Sequence, residues 1–528
     1  MTKNQKKINS HEVINHDGPI IYLNNVWSKI DNLPFKAADC LYNELSYQVP
    51  NAKFAKRPGW DGKKHLVKKH KKTPNTCMCM TGLLPIAIKA LEEYYEIKFE
   101  DIRIIDERKR PEKTLNLNWN EKDFNVSTRP YQQEAVKKSI KKARGIIQVA
   151  TGGGKTIIAS RLVYELGVAP FIFYVMTREL LYQAKDRMEA AMPGLKVGII
   201  GDGECDIREV NVMTVQTAIR VYGKDLKKDL KDFNDLGDSE LSSLKKEKMD
   251  HLKKAASIKK LIEDCKGIYF DEAHHCPART AQEILMNSKQ AFYMFGGSAT
   301  PFRSDNADLM IEGLFGPKIC EISASFLIRQ GFLMKPDIYY VKLSEKPKKA
   351  ITYAQDVDNN LIGNAERNNH IIAISKALAK NNLSVLILVI RIEHGEFLKS
   401  KIPESEFIHG KSGKKKRDKV LSELESKDRM IVIATTIADE GLDIKTLNSV
   451  IMAGGGKSPN KCMQRVGRAI RKFKGKTKSI IIDFLDTGKF IKKHSNARKK
   501  MLATEEEFNI KIMKSFADKD GKFQENLF

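Results

Sequence analysis

The chain has 528 residues, 41% of them apolar, which suits roughly three domains with buried cores and excludes a disordered polymer. Its 92 Lys and Arg against 66 Asp and Glu leave a net charge of +26, which draws polyanions and disfavours basic partners. Charge alone leaves nucleic acid, an anionic membrane surface and an acidic partner open. Taken in chain order, the lysine-rich Met1 to Ser10 is followed by no apolar core of a secretion signal. The longest apolar runs, such as Val385 to Ile390, fall far short of the ~20 residues that span a bilayer. A cytoplasmic chain without membrane contact is the expectation. The eight cysteines carry no framework spacing; Cys77 and Cys79 form C-x-C with no second pair, and all eight read as reduced thiols.

Residues 1–125 carry no nucleotide motif. They mix short apolar stretches with basic clusters at Lys63-Lys64 and Lys68 to Lys72, and Pro111 with the polar run to Asp123 reads as a linker. From about 126 the pattern alternates. Gly145 to Ala150 and Pro170 to Met176 are strand-like, while Ile157 to Leu166 and Glu179 to Met192 are helical. This predicts a parallel sheet covered by helices over 126–330. Residues 222–265 interrupt it with Lys, Asp and Glu and with Leu at helical spacing. They read as a solvated charged helical insertion, the alternative being a wedge or clamp on DNA. Alternation resumes from Gly267 to Ser298. Gln330 to Val341, with Gly331 and Pro336, reads as the crossing to a second lobe over 331–500. Its strands are expected at Val385 to Ile390, Ile431 to Ala434, Ser449 to Met452 and Ser479 to Phe484, with a polar tail over 501–528.

Three pieces point to phosphate chemistry. Val149 to Thr156 reads V-A-T-G-G-G-K-T between an apolar strand and a helix, the setting of a P-loop. Thr151, Gly152, Gly153 and Gly154 would turn backbone N–H groups onto phosphate oxygens. Lys155 would reach the β- and γ-phosphates and Thr156 would hold Mg²⁺. The strict pattern has Gly where this chain has Val149. About 115 residues on, an apolar strand ends in Asp271-Glu272. Asp271 would hold the metal and Glu272 would polarise the attacking water. The third piece is Gln464 to Arg471. Arg468 and Arg471 are three apart, so one helical face could present both to a developing phosphoryl charge. With these groups on a second lobe, the ATP site closes only when the lobes meet.

As an ordered set over about 126–490, these motifs resemble the superfamily 2 helicases of DEAH-box type. Arg129-Pro130-Tyr131-Gln132 resembles the adenine-reading element, with Arg129 and Gln132 as its nucleotide contacts. Thr177-Arg178 and Thr214 to Thr217 resemble the motifs that grip a nucleic-acid backbone. Asp271 to His274 is the DEAH box, and Ser298-Ala299-Thr300 resembles the element linking hydrolysis to strand movement. His409-Gly410, and Thr435-Thr436 through Gly441-Leu442-Asp443, resemble the segments before and at motif V. Gln464 to Arg471 resembles motif VI, which gives Gln464 a catalytic role beside the two arginines. The resemblance implies an α/β fold: two tandem RecA-like parallel-sheet lobes with a small N-terminal α+β accessory domain. It implies ATP and Mg²⁺ as cofactors. Nucleic-acid contacts are expected at Thr177, Arg178, Thr214, Thr217, Ser298, Thr300, His409 and Thr435. Hydroxyls at strand ends suit this, since they hold phosphates without reading bases; singly, Thr214, Thr217 and Thr435 are as well explained as turn residues.

Gly59-Trp60-Asp61-Gly62-Lys63-Lys64, followed by Gly82-Leu83-Leu84-Pro85, is similar to the accessory domain of bacteriophage UvsW-type recombination helicases. Trp60 could stack on a base while Lys63 and Lys64 hold phosphates; a core Trp60 in a W-D-G turn stays open. The expected activity is ATP-driven unwinding or branch migration of forks, junctions, D-loops or R-loops by a monomer moving 3′ to 5′. The partner is single-stranded or branched DNA, with RNA admitted in hybrids. A restriction-system motor subunit and an RNA helicase are the alternatives. The first would need a nuclease site, and Asp483 with Asp486 offers no P-D…(D/E)-x-K arrangement.

Overall fold

The computed structural model describes residues 18–49, 52, 59–70, 72–115, 124, 126–223, 242–299, 308–435, 444, 446–456 and 458–513. They form two compact units. One comprises 1–149 with 154–321, the other 322–528 with the short stretch 150–153. No described helix is long and apolar enough to cross a membrane.

The first unit begins with a five-stranded sheet ordered Val67–Lys69, Cys77–Met80, Trp27–Asp31, Ile20–Leu23, Arg103–Asp106. Only its last pair, Ile20–Leu23 with Arg103–Asp106, is parallel. Helices Ala37–Glu44 and Leu84–Tyr95 pack with it. Cys77 and Cys79 flank exposed Met78 on their strand and fill this core, and none of the eight cysteines is in a disulfide. The G-L-L-P element is where this small domain meets its neighbour. A Cβ on Gly82 would stand 2.0 Å from the Glu312 carbonyl oxygen and 2.6 Å from that of Gly313, so only glycine admits the helix Asp308–Phe315 so closely. Arg144, which opens a strand of the next sheet, donates to the carbonyls of Asn25 (2.8 Å), Leu314 (2.8 Å) and Phe315 (3.1 Å). The domain and the sheet beside it thus share one buried guanidinium.

That second sheet has eight strands in the order Glu204–Asp206, Val197–Gly201, Val210–Thr214, Phe171–Val175, Gly267–Asp271, Tyr293–Ser298, Arg144–Val149, Lys318–Ile322. Its central pairings run parallel. Phe171–Val175 reads FIFYV with every residue buried, the unbroken apolar run of a strand covered on both faces. Of the charged insertion, 224–241 lies outside the described residues. Ser242–Asp264 is a helix, and its buried Ala255, Ile258, Leu261 and Ile262 recur at helical spacing as a stripe against the core.

The second unit holds a seven-stranded sheet ordered Glu406–Ile408, Ile431–Ala434, Val385–Leu388, Ser449–Ile451, Ile480–Leu485, Asp337–Lys342, Asn509–Met513. All six pairings are parallel. Two elements differ from the sequence reading. Asp337–Lys342, inside the stretch read as a crossing, is a buried strand between two partners. The polar tail contributes Asn509–Met513, an edge strand.

Candidate nucleotide and nucleic-acid sites

Helix Lys155–Leu166 follows directly on the glycine turn, in which Gly152 and Gly154 have φ of 87° and 84°. That left-handed backbone faces N–H groups inward at a helix N-terminus, the arrangement that binds phosphate. A Cβ on Gly154 would also come within 2.4 Å of the Gln132 amide nitrogen, so glycine lets that buried side chain abut the loop. Gln132 is fixed in turn. Its Oε1 accepts from the Arg129 N–H at 2.9 Å, at the start of helix Pro130–Lys142, and Arg129 Nη1 donates to Tyr131 at 3.0 Å.

Strand Gly267–Asp271 delivers the two carboxylates to the same place. Lys155 Nζ lies 2.5 Å from Glu272 Oε1 and 3.6 Å from Asp271 Oδ1. Burial works against all three charges. For Lys155 the two carboxylates outweigh it and its pKa is raised. For Glu272, burial is overcome by Lys155 and a hydrogen bond from His274, which hold the carboxyl below its usual range. Asp271, farther from the ammonium, is raised by burial. Glu272 sits at φ 53°, a left-handed position that a non-glycine residue adopts at a cost and that recurs at functional sites. His274 Nδ1 lies 3.3 Å from Glu272 Oε2 and 3.2 Å from Ser298 Oγ. His274 is the residue that the candidate set lacked, although the DEAH box itself names it. No group of three or more His, Cys, Asp or Glu side chains among the described residues could hold a metal alone. One carboxylate beside a phosphate cradle fits magnesium, which keeps waters and takes few protein ligands.

In the second unit, Gln464 and Arg468 are one turn apart on helix Pro459–Ala469 and share a face. Arg471 does not join them there. The helix ends at Ala469, and Arg471 lies beyond it in an isolated bridge with Leu333. Lys476 Nζ donates to the Ala469 carbonyl and, at 3.1 Å, to that of Arg471, and Ser479 Oγ donates to Ala469 at 3.0 Å. The returning chain therefore satisfies carbonyls that a further helical turn would have used.

The expected nucleic-acid residues divide. Thr177 and Thr214 cap helices Arg178–Ala191 and Val215–Arg220, and the Thr214 hydroxyl donates to Thr217 at 2.9 Å. Arg178 is largely exposed and paired with Asp202. His409 accepts from the Lys411 N–H at 3.4 Å, and Thr435, just past strand Ile431–Ala434, is nearly buried. Ser298 corrects the expectation, because it is fully buried and its hydroxyl meets His274. Lys64 differs as well. Its half-buried ammonium donates to Gln282 at 2.7 Å within the first unit. Trp60 donates its indole N–H to the Lys63 carbonyl at 2.8 Å, closing the W-D-G turn, while Lys63 keeps a part-exposed side chain. Thr300, Gly441 and Asp443 lie outside the described residues.

A P-loop sheet followed by a second parallel sheet defines a tandem nucleotide-dependent motor. A family model described as the res subunit of type III restriction enzymes matches residues 125–303, and one described as the helicase conserved C-terminal domain matches 367–473. The chain is 29% identical over 413 residues to "Putative helicase 22" of Sulfolobus islandicus filamentous virus, covering 73% of this chain and 68% of the relative. It is 25% identical over 388 residues to DNA 3′-5′ translocase XPB2 of Sulfurisphaera tokodaii, covering 66% and 79%. It is 24% identical over 246 residues to ATP-dependent DNA helicase uvsW of Enterobacteria phage T4, covering 44% of this chain and 48% of uvsW. The chain therefore matches about half the length of that relative. The two helicase-family matches and these relatives together make the chain a helicase ATPase that resembles the superfamily 2 helicases.

Proposed function

We propose that this helicase is a DNA translocase that unwinds or branch-migrates forks, junctions, D-loops or R-loops, moving 3′ to 5′. Lys155 takes the β- and γ-phosphates, Glu272 orients the attacking water, and Arg129 and Gln132 hold the base. Thr156 and Asp271 would hold magnesium, which would neutralise charge on the phosphates. Arg468 and Arg471 supply the positive charge of the second lobe, with Gln464 beside them as a neutral hydrogen-bonding group. The observation that carries the reading is the Lys155 ammonium seated against both carboxylates at the head of the P-loop helix. The 3′ to 5′ direction draws on the likeness to the DNA 3′-5′ translocase XPB2, and the preference for DNA on the likeness to XPB2 and to the DNA helicase uvsW.

Nothing among the described residues favours a nuclease. Asp483 and Asp486 are buried against Arg498 and Arg367 and have no access to a substrate. The test compares ATPase stimulation by single-stranded DNA, RNA and branched DNA with strand displacement on forked substrates. Stimulation by DNA with displacement of a strand from a 3′ tail is expected. Equal or greater stimulation by RNA would move the assignment to an RNA helicase.

A further inference from the structure

The N-terminal domain exposes a better nucleic-acid contact than the residues the sequence singled out. Residues 18–76 carry eleven Lys and Arg against four Asp and Glu, a surplus that attracts a polyanion. Most aromatics of the domain already have an internal partner. Trp27 lies under Lys68 with the ammonium 3.9 Å from its ring centre, Tyr42 stacks on His65 at 3.7 Å, and Trp60 is bonded to Lys63. Phe35 differs. It is 74% exposed, against 59% for Phe99 and 43% for Tyr94. It sits on a loop that is built rather than loose. The Ala37 N–H donates to the Pro34 carbonyl at 3.0 Å, and the Leu33 N–H donates to the Asn75 carbonyl at 3.0 Å. That second bond lays the Phe35 loop beside the loop carrying exposed His70 and Lys72. Lys36, with φ 61°, holds a left-handed conformation that costs a non-glycine residue energy, and its ammonium lies 5.2 Å from the Phe35 ring centre.

We propose that Phe35 and Lys36, with His70 and Lys72 on the adjoining loop, form a contact for unpaired nucleic acid, in which Phe35 stacks on a base and the lysines hold the flanking phosphates. The proposal rests on the reading of the chain as a nucleic-acid motor and assigns part of its grip. An exposed ring beside ammonium groups binds any base by its π-face and the backbone by charge, which gives affinity without sequence preference. Bases inside a duplex are stacked on both faces and only the two end pairs show one, so the contact selects single-stranded arms over blunt duplex.

The test uses the full chain, a fluorescein-labelled oligothymidylate and a labelled blunt duplex, titrated over a series of salt concentrations. Phe35→Ala should weaken oligothymidylate binding about 5- to 150-fold and leave its salt slope and the duplex affinity unchanged. Phe35→Trp should keep the affinity, which separates stacking from any disturbance of the loop. Lys36→Ala combined with Lys72→Ala should lower the salt slope on oligothymidylate by about 1.4. Unchanged oligothymidylate binding by Phe35→Ala, or an equal loss on both probes, would overturn the proposal while leaving the motor reading intact. A wild-type chain that binds neither probe and whose ATPase neither stimulates would sink the motor reading, and this contact with it.

Discussion

Lys155 owes its charge to its neighbours: burial alone would favour the neutral amine, and Glu272 with Asp271 reverses that. The same pairing keeps Glu272 ionised. Its folded pKa is depressed, so the pair's contribution is complete above the ordinary carboxylate range and is lost only as pH falls through the lowered value. Turnover should therefore show no acid limb from Glu272 between about pH 5 and 8 in a pH–rate profile. Glu272→Gln should lower turnover by about 10²- to 10⁴-fold and leave nucleic-acid affinity unchanged. Lys155→Ala should abolish turnover with the same affinity. Either variant retaining full turnover would show that the site is misassigned. Ser298→Ala tests the reassigned serine. Affinity should hold while stimulated turnover falls, because its hydroxyl serves His274 from inside the core. The P-loop and the acid pair were legible because each needs particular residue types at a strand end, and the burial of Ser298 was not. The S-A-T pattern is the same whether its serine faces a phosphate or a histidine.

Apolar runs marked most of the parallel strands, since a strand covered on both faces must be apolar throughout. Among those that escaped, Asp337–Lys342 carries a charge at each end, and Asn509–Met513 carries Lys511 at its centre on the sheet edge, where it can reach water. The end of helix Pro459–Ala469 escaped for another reason, because its carbonyls are satisfied by Lys476 and Ser479 from a later segment. Burial pushes the Lys476 ammonium down to about 8, with Arg471 adding to the effect. Between about pH 8 and 10.5 the unfolded chain therefore holds a proton that the folded chain has lost, and stability should rise with pH. Denaturant midpoints across that window should show the rise and Lys476→Met should flatten it; a rise of equal size in the variant would refute the assignment. The buried charges of the same unit are a harsher case. Arg498 donates to both oxygens of Asp483 at 2.8 Å and to the Gly456 carbonyl at 2.9 Å. Arg498→Met leaves a fully buried carboxylate without that partner and should cost about 3–5 kcal/mol in chemical denaturation.

The N-terminal domain is joined to the first nucleotide-binding sheet by Gly82 on one side and Arg144 on the other. Gly82→Val would drive carbon into the Glu312 carbonyl, a backbone atom that cannot turn aside. The variant should release the domain and make residues 18–115 sensitive to limited proteolysis. Equal resistance would mean that the contact yields cheaply. Sequence showed G-L-L-P as a marker of kinship but could not show what it touches, because the helix it admits comes about 230 residues later. The consequence is metrical. A domain on a flexible leash would offer its ligand a local concentration that varies smoothly with leash length. This domain is seated by packing at Gly82 and Arg144, so the span from the Phe35 loop to the threonines that cap Arg178–Ala191 and Val215–Arg220 acts as a ruler. A strand held at both ends of that ruler has a minimum contour length. Affinity plotted against oligonucleotide length should show a step where the strand first reaches both ends.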